Sequence, residues 1–339
     1  MIRGRSVALR PAAPADRRTV WSWAAAPDVA PHLFRHEPVP TFEAFCADTK
    51  RHYFDASDPR RGQSFLIRAH GEELGQISSN DIDAQRRRTE LDIWLAGEAA
   101  CNRGVGPAAI ETLADHLCRE YGVVEFMMQP SSDNPRAIRA YEKAGFRPLG
   151  LPLEQAVAEW GPADGPDAFY MVLRMPARVR PGTPADLPFL RAMLYEAAYW
   201  SPDAPRPPID EGLAPEELAR LLREFGSRPG DAALVAESPD GRPLGAAWFR
   251  LWTRDEHSYG FVDERIPELA IAVVAEARGQ GIGAQLLRSL VLEAGREGCD
   301  ALSLSVAHGN PARHLYQALG FRERDRDAGA ATLCLELAR

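Results

Sequence analysis

In the second half of the chain, a predicted strand is joined to a predicted helix by Arg278-Gly279-Gln280-Gly281-Ile282-Gly283-Ala284. Glycines at such a junction leave the backbone accessible, because no Cβ atom stands between a ligand and the amide groups. Those N–H groups and the N-terminus of the following helix together favour an anion such as a phosphate. The turn therefore predicts a phosphate-binding strand–turn–helix unit.

The turn belongs to a set of segments that occur twice, in the same order and at offsets of 170 to 177 residues. An ordered repeat of this kind predicts a duplicated domain, with one copy in residues 1–176 and the other in residues 177–339. The repeated pairs are Arg10-Pro11-Ala12-Ala13-Pro14-Ala15-Asp16 with Arg180-Pro181-Gly182-Thr183-Pro184-Ala185-Asp186, Arg103-Gly104-Val105-Gly106 with Gln280-Gly281-Ile282-Gly283, and Asn134-Pro135, Tyr141 and Ala144-Gly145-Phe146 with Asn310-Pro311, Tyr316 and Leu319-Gly320-Phe321.

Composition agrees with two ordinary globular domains. The chain has 339 residues, of which 45% are hydrophobic and 26% charged, and each half is long enough for its own core. The net charge of −8 argues against nucleic-acid binding, and no apolar run is long enough to predict a membrane span. The five cysteines are scattered and predict no zinc site. Since no signal-peptide pattern is present either, we expect a cytoplasmic protein with reduced thiols.

Each half reads as strands and helices in the order of an α+β fold with a mixed sheet. The predicted strands of the first half are 7–10, 64–68, 74–78, 90–95, 123–128 and 168–173, and its predicted helices are 14–24, 41–53, 106–121 and 135–144. In the second half, strands are predicted at 179, 233–236, 243–248, 268–274, 301–306 and 332–336, with helices starting at 184, 214, 283 and 311.

A dinucleotide-binding Rossmann domain is the main alternative for a glycine-rich turn. Such a domain needs Gly-x-Gly-x-x-Gly on its first strand–helix unit, with an acidic residue about 20 positions later. Here the turn comes late in each half, after three strands, and the third glycine is missing. The pattern excludes a Rossmann site.

The whole arrangement resembles the GCN5-related N-acetyltransferase (GNAT) superfamily, whose signature Arg/Gln-x-x-Gly-x-Gly/Ala is matched by Arg278, Gly281 and Gly283. The resemblance covers nearly the full length, once per half, and implies tandem domains with splayed sheets. It also implies acetyl-CoA as the acyl donor, without a metal. The turn would hold the pyrophosphate, and a bulge in the preceding strand would offer an N–H to the thioester carbonyl. The cofactor-binding residues implied are Arg103, Gly104, Gly106, Asn134, Arg278, Gly279, Gly281, Gly283, Ala284 and Asn310.

The first half departs from this signature. Cys101 stands where Arg or Gln is usual, and Pro107 follows the second glycine. Arg103 is the candidate substitute for the missing cation, and a proline is tolerated in the first turn of a helix. We therefore expect two cofactor sites, with tighter binding in the second half.

Two tyrosines are candidate general acids. The segment from Asn134 to Phe146 resembles aminoglycoside 6′-N-acetyltransferases and the related ribosomal-protein acetyltransferases. This resemblance implies that Tyr141 protonates the departing thiolate, and that Tyr316 does so in the second half. The alternative for each is an aromatic side chain that closes the core.

Acids are needed because an acetyl acceptor must be a neutral amine when it attacks. Asp92 lies 14 residues before Gly106 in an otherwise apolar strand, a spacing that resembles that of the acid in aminoglycoside enzymes. Glu268 lies 15 residues before Gly283, which by the same resemblance is where many family members place their general base. Either acid is a candidate base, and the alternative is an outward-facing strand residue. Glu90 has the same strand parity as Asp92 and is expected to face the same cleft.

Two loops are candidates for contact with a substrate. Residues 200–215 are proline-rich, follow the first helix of the second half and are the candidate covering loop. His257 precedes an aromatic and acidic loop, which is instead a candidate lining of the acceptor pocket of the second half. For His257, a solvated loop position is the alternative.

The predicted function is transfer of acetyl from acetyl-CoA to a primary amine by direct attack in a ternary complex. The predicted acceptor is a small cationic molecule, with an aminoglycoside-type aminosugar as the first candidate. One alternative is that a single half is catalytic and the other is a structural or ligand-sensing remnant. Another is a non-enzymatic acetyl-CoA-binding module. The oligomeric state is left open.

Overall fold

A computed structural model describes residues 1–34, 37–165 and 167–338. These residues form two mixed sheets, of eight and seven strands, each flanked by helices. The predicted α+β class and the two tandem domains are confirmed. The first sheet ends at Arg174 and the second begins at Arg178. The domain bounds 1–176 and 177–339 stay a prediction.

The N-terminal sheet has the strand order β1-β2-β3-β4-β5-β6-β8-β7. Its strands are β1 (Ile2–Arg3), β2 (Ala8–Pro11), β3 (Gly62–Ala69), β4 (Glu72–Asp83), β5 (Arg88–Leu95), β6 (Glu125–Met128), β7 (Arg147–Pro148) and β8 (Met171–Arg174). Its helices are α1 (Arg17–Ala24), α2 (Ala30–Leu33), α3 (Phe42–Asp48), α4 (His52–Asp55), α5 (Val105–Tyr121), α6 (Pro135–Lys143) and α7 (Leu153–Trp160), with 3₁₀ turns at Pro14–Asp16 and Glu98–Ala100.

The C-terminal sheet has the order β14-β15-β13-β12-β11-β10-β9. Its strands are β9 (Arg178–Pro181), β10 (Ala232–Glu237), β11 (Pro243–Arg250), β12 (Glu268–Val273), β13 (Ala301–Ala307), β14 (Arg322–Arg326) and β15 (Ala330–Glu336). Its helices are α8 (Leu187–Ala198), α9 (Ile209–Gly212), α10 (Glu216–Ala219), α11 (Ile282–Arg296) and α12 (Ala312–Ala318), with 3₁₀ turns at Pro184–Asp186 and Ala275–Ala277.

The first repeated motif is structural. The Arg10 guanidinium bridges to Asp16 at 2.8 Å and 3.0 Å, and the Asp16 carboxylate accepts the Ala13 N–H at the start of the helix. Arg180 and Asp186 repeat the bridge at 2.8 Å. The hydrogen bond from Arg10 holds the pKa of Asp16 below its usual range. In each domain the motif therefore fixes the first helix to the strand before it.

The helices expected at 41–53 and from residue 214 differ from the structure. The first is divided into α3 and α4, because Thr49 takes an extended conformation with ψ 112°, although Thr41 caps α3 as predicted. The second is limited to α10, a single turn. Helix α7 and strand β14 were not predicted. In α7 the apolar residues Leu153, Ala156, Val157 and Trp160 have helical spacing that the sequence analysis missed, whereas every residue of β14 is exposed and it has no apolar alternation.

In each domain two neighbouring parallel strands diverge. Strands β5 and β6 pair only from Arg88 to Glu90, after which β5 runs on to Leu95. The described pairing of β12 with β13 is limited to Glu268 with Ser303. The predicted splay is therefore present. The expected bulge in β5 is not, because β5 pairs with β4 in regular register from Glu90 to Leu95, and the irregularity lies in β4 after Asn80.

The two domains pack through equivalent helices. Helix α5 lies against α11, and each of them also contacts the first strand of the other domain, β9 or β1. Arg288 of α11 bridges to Asp115 of α5 at 2.6 Å, and Arg119 bridges to Glu293 at 2.5 Å. The Gln285 side chain bonds both the N–H and the C=O of Ala177. Helix α11 is thus fixed to the first domain and to the inter-domain segment.

Among the described residues, no helix is long and apolar enough to cross a membrane.

Candidate active site

A cleft of about 880 Å³ opens in the N-terminal domain where β5 and β6 diverge. Strand β5 lines one side from Leu91 to Leu95, and α6 and the end of β6 line the other. The turn before α5 lines one end, and residues of α2 together with Asp164 complete the wall. The cleft therefore lies at the junction that the sequence predicts for the donor.

The glycine turn of this domain is open toward the cleft. Gly104 caps α5 with a φ of +75°, and Asn102 has a φ of +59°. A Cβ atom placed on Gly104 or on Gly106 would meet none of the described atoms within 4 Å. Both glycines line the cleft. Their backbone N–H groups can therefore be approached by a phosphate without a steric barrier.

Helix α6 brings basic side chains to the cleft. Arg136, Arg139 and Lys143 all line it, and Arg136 lies 3.6 Å from Glu98. Sequence reasoning missed these cations, although their i, i+3, i+7 spacing predicts a shared helix face. Arg103, the predicted substitute cation, instead lies 3.8 Å from Glu72.

Asn134 caps α6. Its side-chain Oδ1 accepts the Ala137 N–H at 3.1 Å, and the residue also lines the cleft. A donor-binding role for Asn134 stays a prediction.

Two carboxylates of β5, those of Glu90 and Asp92, interact electrostatically, and of the two it is Asp92 that lines the cleft. Asp92 is half-buried and lines the cleft, and Asn80 Nδ2 donates to its Oδ2 at 2.5 Å. Burial raises the pKa of Asp92, and the Asn80 hydrogen bond opposes that rise. Burial, followed by the charges of Asp92 and Asp164, raises the pKa of Glu90 to about 8. Both shifts favour the protonated forms, so each of these carboxyls keeps its proton to a higher pH than a solvated carboxyl does.

Tyr141 lines the same cleft. Its ring lies 6.3 Å from that of Phe146. Burial, and after it the Asp92 carboxylate, raises the pKa of the Tyr141 hydroxyl. The phenol therefore keeps its proton at neutral pH and can donate it. The structure thus brings Asp92, Tyr141 and the Gly104–Gly106 turn to one cleft.

The corresponding turn of the C-terminal domain is more crowded. Gly281 caps α11 with a φ of +84°, and Gly279 has a φ of +74°. A Cβ atom on Gly281 would lie 3.8 Å from Pro176, and one on Gly283 would lie 3.4 Å from Leu315. The inter-domain segment and α12 therefore approach this turn.

Arg278 is already bound to a carboxylate. Its Nη2 lies 2.6 Å from Glu196 Oε2, and its Nε donates to the Val273 carbonyl at 3.0 Å. Glu196 also accepts from Arg206 at 2.5 Å. The acid that pairs with Arg278 comes from α8, 82 residues earlier in the chain.

The proline-rich segment 200–215 is fixed to α8. Tyr195 donates to the Pro207 carbonyl at 2.5 Å and Tyr199 to the Gly212 carbonyl at 3.2 Å. A Cβ atom on Gly309 would lie 3.5 Å from the Trp200 ring. The segment therefore lies beside the loop that precedes α12.

Glu268 is buried under the loop that joins β11 to β12. Only 5% of it is exposed, and its Oε1 accepts the Gly260 N–H at 2.8 Å. Burial raises the pKa of Glu268 to about 7, against the opposing effects of Gly260, Trp252 and Ser258. His257, in the same loop, stacks on Phe261 at 4.8 Å.

The remaining predicted residues of this domain have core or capping positions. Tyr316 is 8% exposed and belongs to the hydrophobic core, and burial raises its pKa to about 12. Asn310 Oδ1 accepts the Ala312 N–H at 2.9 Å, and Ala284 lies in the first turn of α11. Among the described residues, no cluster of acidic, histidine and cysteine side chains could hold a metal ion.

Comparison with known proteins identifies the class. The sequence profile described as "Acetyltransferase (GNAT) domain" matches residues 6–147, and the profile "Acetyltransferase (GNAT) family" matches residues 194–321. An L-methionine sulfoximine/L-methionine sulfone acetyltransferase of Pseudomonas aeruginosa is 30% identical over 155 residues, which are 43% of this chain and 81% of that protein.

Aminoglycoside enzymes are also similar. Aminoglycoside N(6′)-acetyltransferase type 1 of Klebsiella pneumoniae is 35% identical over 82 residues, which are 24% of this chain and 36% of that protein. A solved structure of AAC(6′)-Ib with ribostamycin and coenzyme A has a TM-score of 0.40 and 24% identity, covering 50% of this chain and 93% of that chain.

The double profile match and the acetyltransferase relatives define the protein as an acyl-CoA-dependent N-acetyltransferase. The chain belongs to the GNAT family, with two GNAT domains in tandem.

Proposed function

We propose that the N-terminal domain transfers an acetyl group from acetyl-CoA to a primary amine of a small cationic acceptor. The observation that carries this proposal is the 880 Å³ cleft, which brings Asp92, Tyr141 and the open Gly104–Gly106 turn together between diverging strands. Each group supplies one requirement of acyl transfer, namely a base, an acid and an anion-binding backbone.

The donor would enter along the gap between β5 and β6. Its pyrophosphate is bound by the N–H groups of the turn and the N-terminus of α5. Arg136, Arg139 and Lys143 add positive charge along the same cleft. These basic side chains take over the role that the sequence assigned to Arg103.

Transfer follows by direct attack. Asp92 binds the acceptor ammonium and takes one proton from it, so that the nitrogen lone pair becomes free. The amine attacks the thioester carbonyl, an N–C bond forms, and the C–S bond breaks. Tyr141 gives its proton to the departing thiolate, and the acylated nitrogen then loses its second proton to the Tyr141 phenolate, which restores the phenol. The products are an N-acetyl amine and coenzyme A, and the proton held by Asp92 passes to solvent.

The charge of the cleft supports a cationic acceptor. Four acids line it, Asp28, Glu37, Asp92 and Asp164, beside the three basic residues of α6 that would face the donor. An aminoglycoside-type aminosugar remains the first candidate. The relative named for methionine sulfoximine makes an α-amino acid a second candidate. An amino acid carries its own carboxylate, so it matches the four acids less well than a polycationic aminosugar does.

For the C-terminal domain we propose a supporting role. In the sequence its turn predicts the tighter donor site, but the ion pair of Arg278 with Glu196 favours the opposite order. A buried Glu268 and a core Tyr316 also leave the catalytic groups less accessible than those of the N-terminal domain.

A thiol-release assay tests the proposal. Purified full-length chain is mixed with acetyl-CoA and with an aminoglycoside, a polyamine or methionine sulfoximine in turn, and a mixture without amine gives the hydrolysis background. We expect amine-dependent thiol release and a product that is heavier by one acetyl group. Binding of acetyl-CoA without turnover on any amine would contradict the proposal and favour the non-enzymatic binding module.

A further inference from the structure

Three hydrogen-bonded side chains run across the N-terminal sheet to the cleft. Tyr53 Oη donates to Asn80 Oδ1 at 2.7 Å, and Asn80 Nδ2 donates to Asp92 Oδ2 at 2.5 Å. These residues come from α4, β4 and β5, so the line crosses the strands rather than following one of them. It connects a residue outside the cleft to the acid inside it.

The order of donors and acceptors in this line has a chemical reason. An ionised carboxylate can only accept, so the amide NH₂ of Asn80 must face Asp92. The amide oxygen is then left for the Tyr53 hydroxyl, which donates to it. Tyr53 thus fixes the orientation in which the Asn80 amide donates its hydrogen bond to Asp92.

The backbone around Asn80 leaves room for the hydrogen-bonded side chains of Tyr53, Asn80 and Asp92. A Cβ atom on Gly62, which pairs with Asn80 in the sheet, would lie 2.7 Å from the Tyr53 ring. The register of β4 shifts directly after Asn80, where Asp81 has a φ of +38°. The Thr89 hydroxyl donates to the Asn80 carbonyl at 2.5 Å. A local irregularity of this kind can redirect a side chain beside a site.

The charged groups that face Asp92 are mostly acids. They are Glu90 on the same strand and Asp164 in the loop after α7, with the hydroxyls of Tyr53 from α4 and Tyr141 from α6. Asp81 of β4 faces Tyr53 as well. Against this set, the Asn80 amide supplies a hydrogen bond that favours the ionised form of Asp92.

We propose that Asn80, held by Tyr53, is a positioning residue that fixes one oxygen of Asp92 and leaves the other to meet the acceptor ammonium. The inference rests on the proposed function for the role of Asp92, and it predicts a property of Asp92 that is measurable without turnover. Neither Asn80 nor Tyr53 touches the reacting atoms in this account.

The direct test is titration of Asp92 by carbon NMR in the full-length chain with ¹³C-labelled aspartate carboxyls. The signal is assigned by its loss in Asp92→Asn. Asn80→Ala should raise the titration midpoint by about one to two pH units, the scale of a lost hydrogen bond to a charged group. Tyr53→Phe should raise it by less, and Tyr121→Phe, which removes a hydroxyl elsewhere in the domain, should not move it.

An unchanged midpoint in Asn80→Ala would overturn the inference. If that variant does not fold, Tyr53→Phe decides, because it removes one oxygen and keeps the ring that packs on Gly62. A midpoint in Tyr53→Phe equal to that of the wild type would then refute the positioning role.

Activity measurements distinguish a failure of this inference from a failure of the proposed function. In Asn80→Ala the acid limb of the kcat/KM profile should move to higher pH while KM for acetyl-CoA is unchanged, because the base needs a higher pH to ionise. Full activity in Asp92→Asn would refute the base role of Asp92, yet the NMR midpoints would still decide the positioning. Loss of activity in Asp92→Asn with an unmoved acid limb in Asn80→Ala would refute the positioning alone.

Discussion

At the scale of single residues, the two domains differ in how their equivalent groups are exposed. Tyr141 lines an open cleft, whereas Tyr316 is a core residue. Asp92 lines that cleft, whereas Glu268 lies under a loop. Since the sequence presents both sets as equally plausible catalytic groups, the difference comes from the surrounding chain rather than from the residues themselves.

Replacement of the tyrosine tests its role as an acid. Tyr141→Phe should lower kcat by about 10- to 100-fold with little change in KM for acetyl-CoA, because a thiolate gains only moderately from general acid catalysis. The measurement is the initial rate of thiol release at saturating donor. Tyr316→Phe is the matched control and should keep the wild-type rate. Equal rates in Tyr141→Phe and in the wild type would remove Tyr141 from the mechanism.

Gly106 offers a clean test of the anion-binding turn. It has ordinary helical geometry and open space at its Cβ position, so a side chain there causes no backbone strain. Gly106→Val should weaken acetyl-CoA binding at least about tenfold, since a branched Cβ obstructs the phosphate. Gly106→Ala, which the family signature allows, should bind nearly as the wild type. Calorimetric titration measures both, and equal affinities would contradict a phosphate at this turn.

At the scale of elements, periodicity and turn chemistry predicted most of the fold. The strand–turn–helix units, the repeat and the divergence of β5 from β6 follow from sequence or resemblance. The break between α3 and α4 at Thr49 does not, because no proline or glycine marks it. Strand β14 is made of exposed charged residues and has no apolar alternation to detect.

Several contacts at the two sites could not be predicted from the sequence, because they join residues that are far apart in the chain. The contact of Glu196 with Arg278 joins residues 82 positions apart, and Tyr53 reaches Asn80 from 27 positions away. Local spacing predicts which residues share one helix face or one strand face, but it carries no information on which elements meet. Asp92 and Tyr141 became candidates through a resemblance to family members, which implies their roles.

Glu196 of α8 forms an ion pair with Arg278 in the glycine turn of the C-terminal domain. This pair predicts weak acetyl-CoA binding in that domain. Glu196→Ala should free Arg278 and increase the affinity of that domain for acetyl-CoA. We expect a severalfold gain, since Arg278 is nearly half exposed and the pair is screened by solvent. Calorimetry on the Gly106→Val background isolates this site, and Glu216→Ala, which removes another exposed ion pair of the domain, is the control. Unchanged or weaker binding in Glu196→Ala would show that Glu196 does not compete with the donor.

At the scale of the whole molecule, the interface between α5 and α11 contains buried charge. Asp115 is only 1% exposed and lies 2.6 Å from Arg288. Burial raises the pKa of Asp115 to about 6, although Arg288 opposes that rise. Desolvation of this carboxylate therefore outweighs the attraction of its partner.

This balance predicts how stability depends on pH. In an unfolded chain an aspartate titrates near 3.9, so between about pH 4 and pH 6 the folded chain holds more protons at Asp115. The contribution of Asp115 to the free energy of unfolding therefore falls as pH rises through that window, by about 2 to 3 kcal/mol. Urea unfolding of the wild type and of Asp115→Asn at several pH values measures it. The exposed Asp255→Asn is the control, and identical pH slopes in wild type and Asp115→Asn would refute the assignment.

The central claim is that acetyl transfer takes place in the N-terminal cleft with Asp92 as base. The most direct measurement compares two matched substitutions, Asp92→Asn and Glu268→Gln, by amine-dependent thiol release from acetyl-CoA in the full-length chain. Asp92→Asn should lose at least about 100-fold in kcat/KM for the amine, the lower limit for a general base, while Glu268→Gln should stay within about threefold of the wild type. A large loss in Glu268→Gln with normal rates in Asp92→Asn would move the catalytic centre to the C-terminal domain and contradict the account.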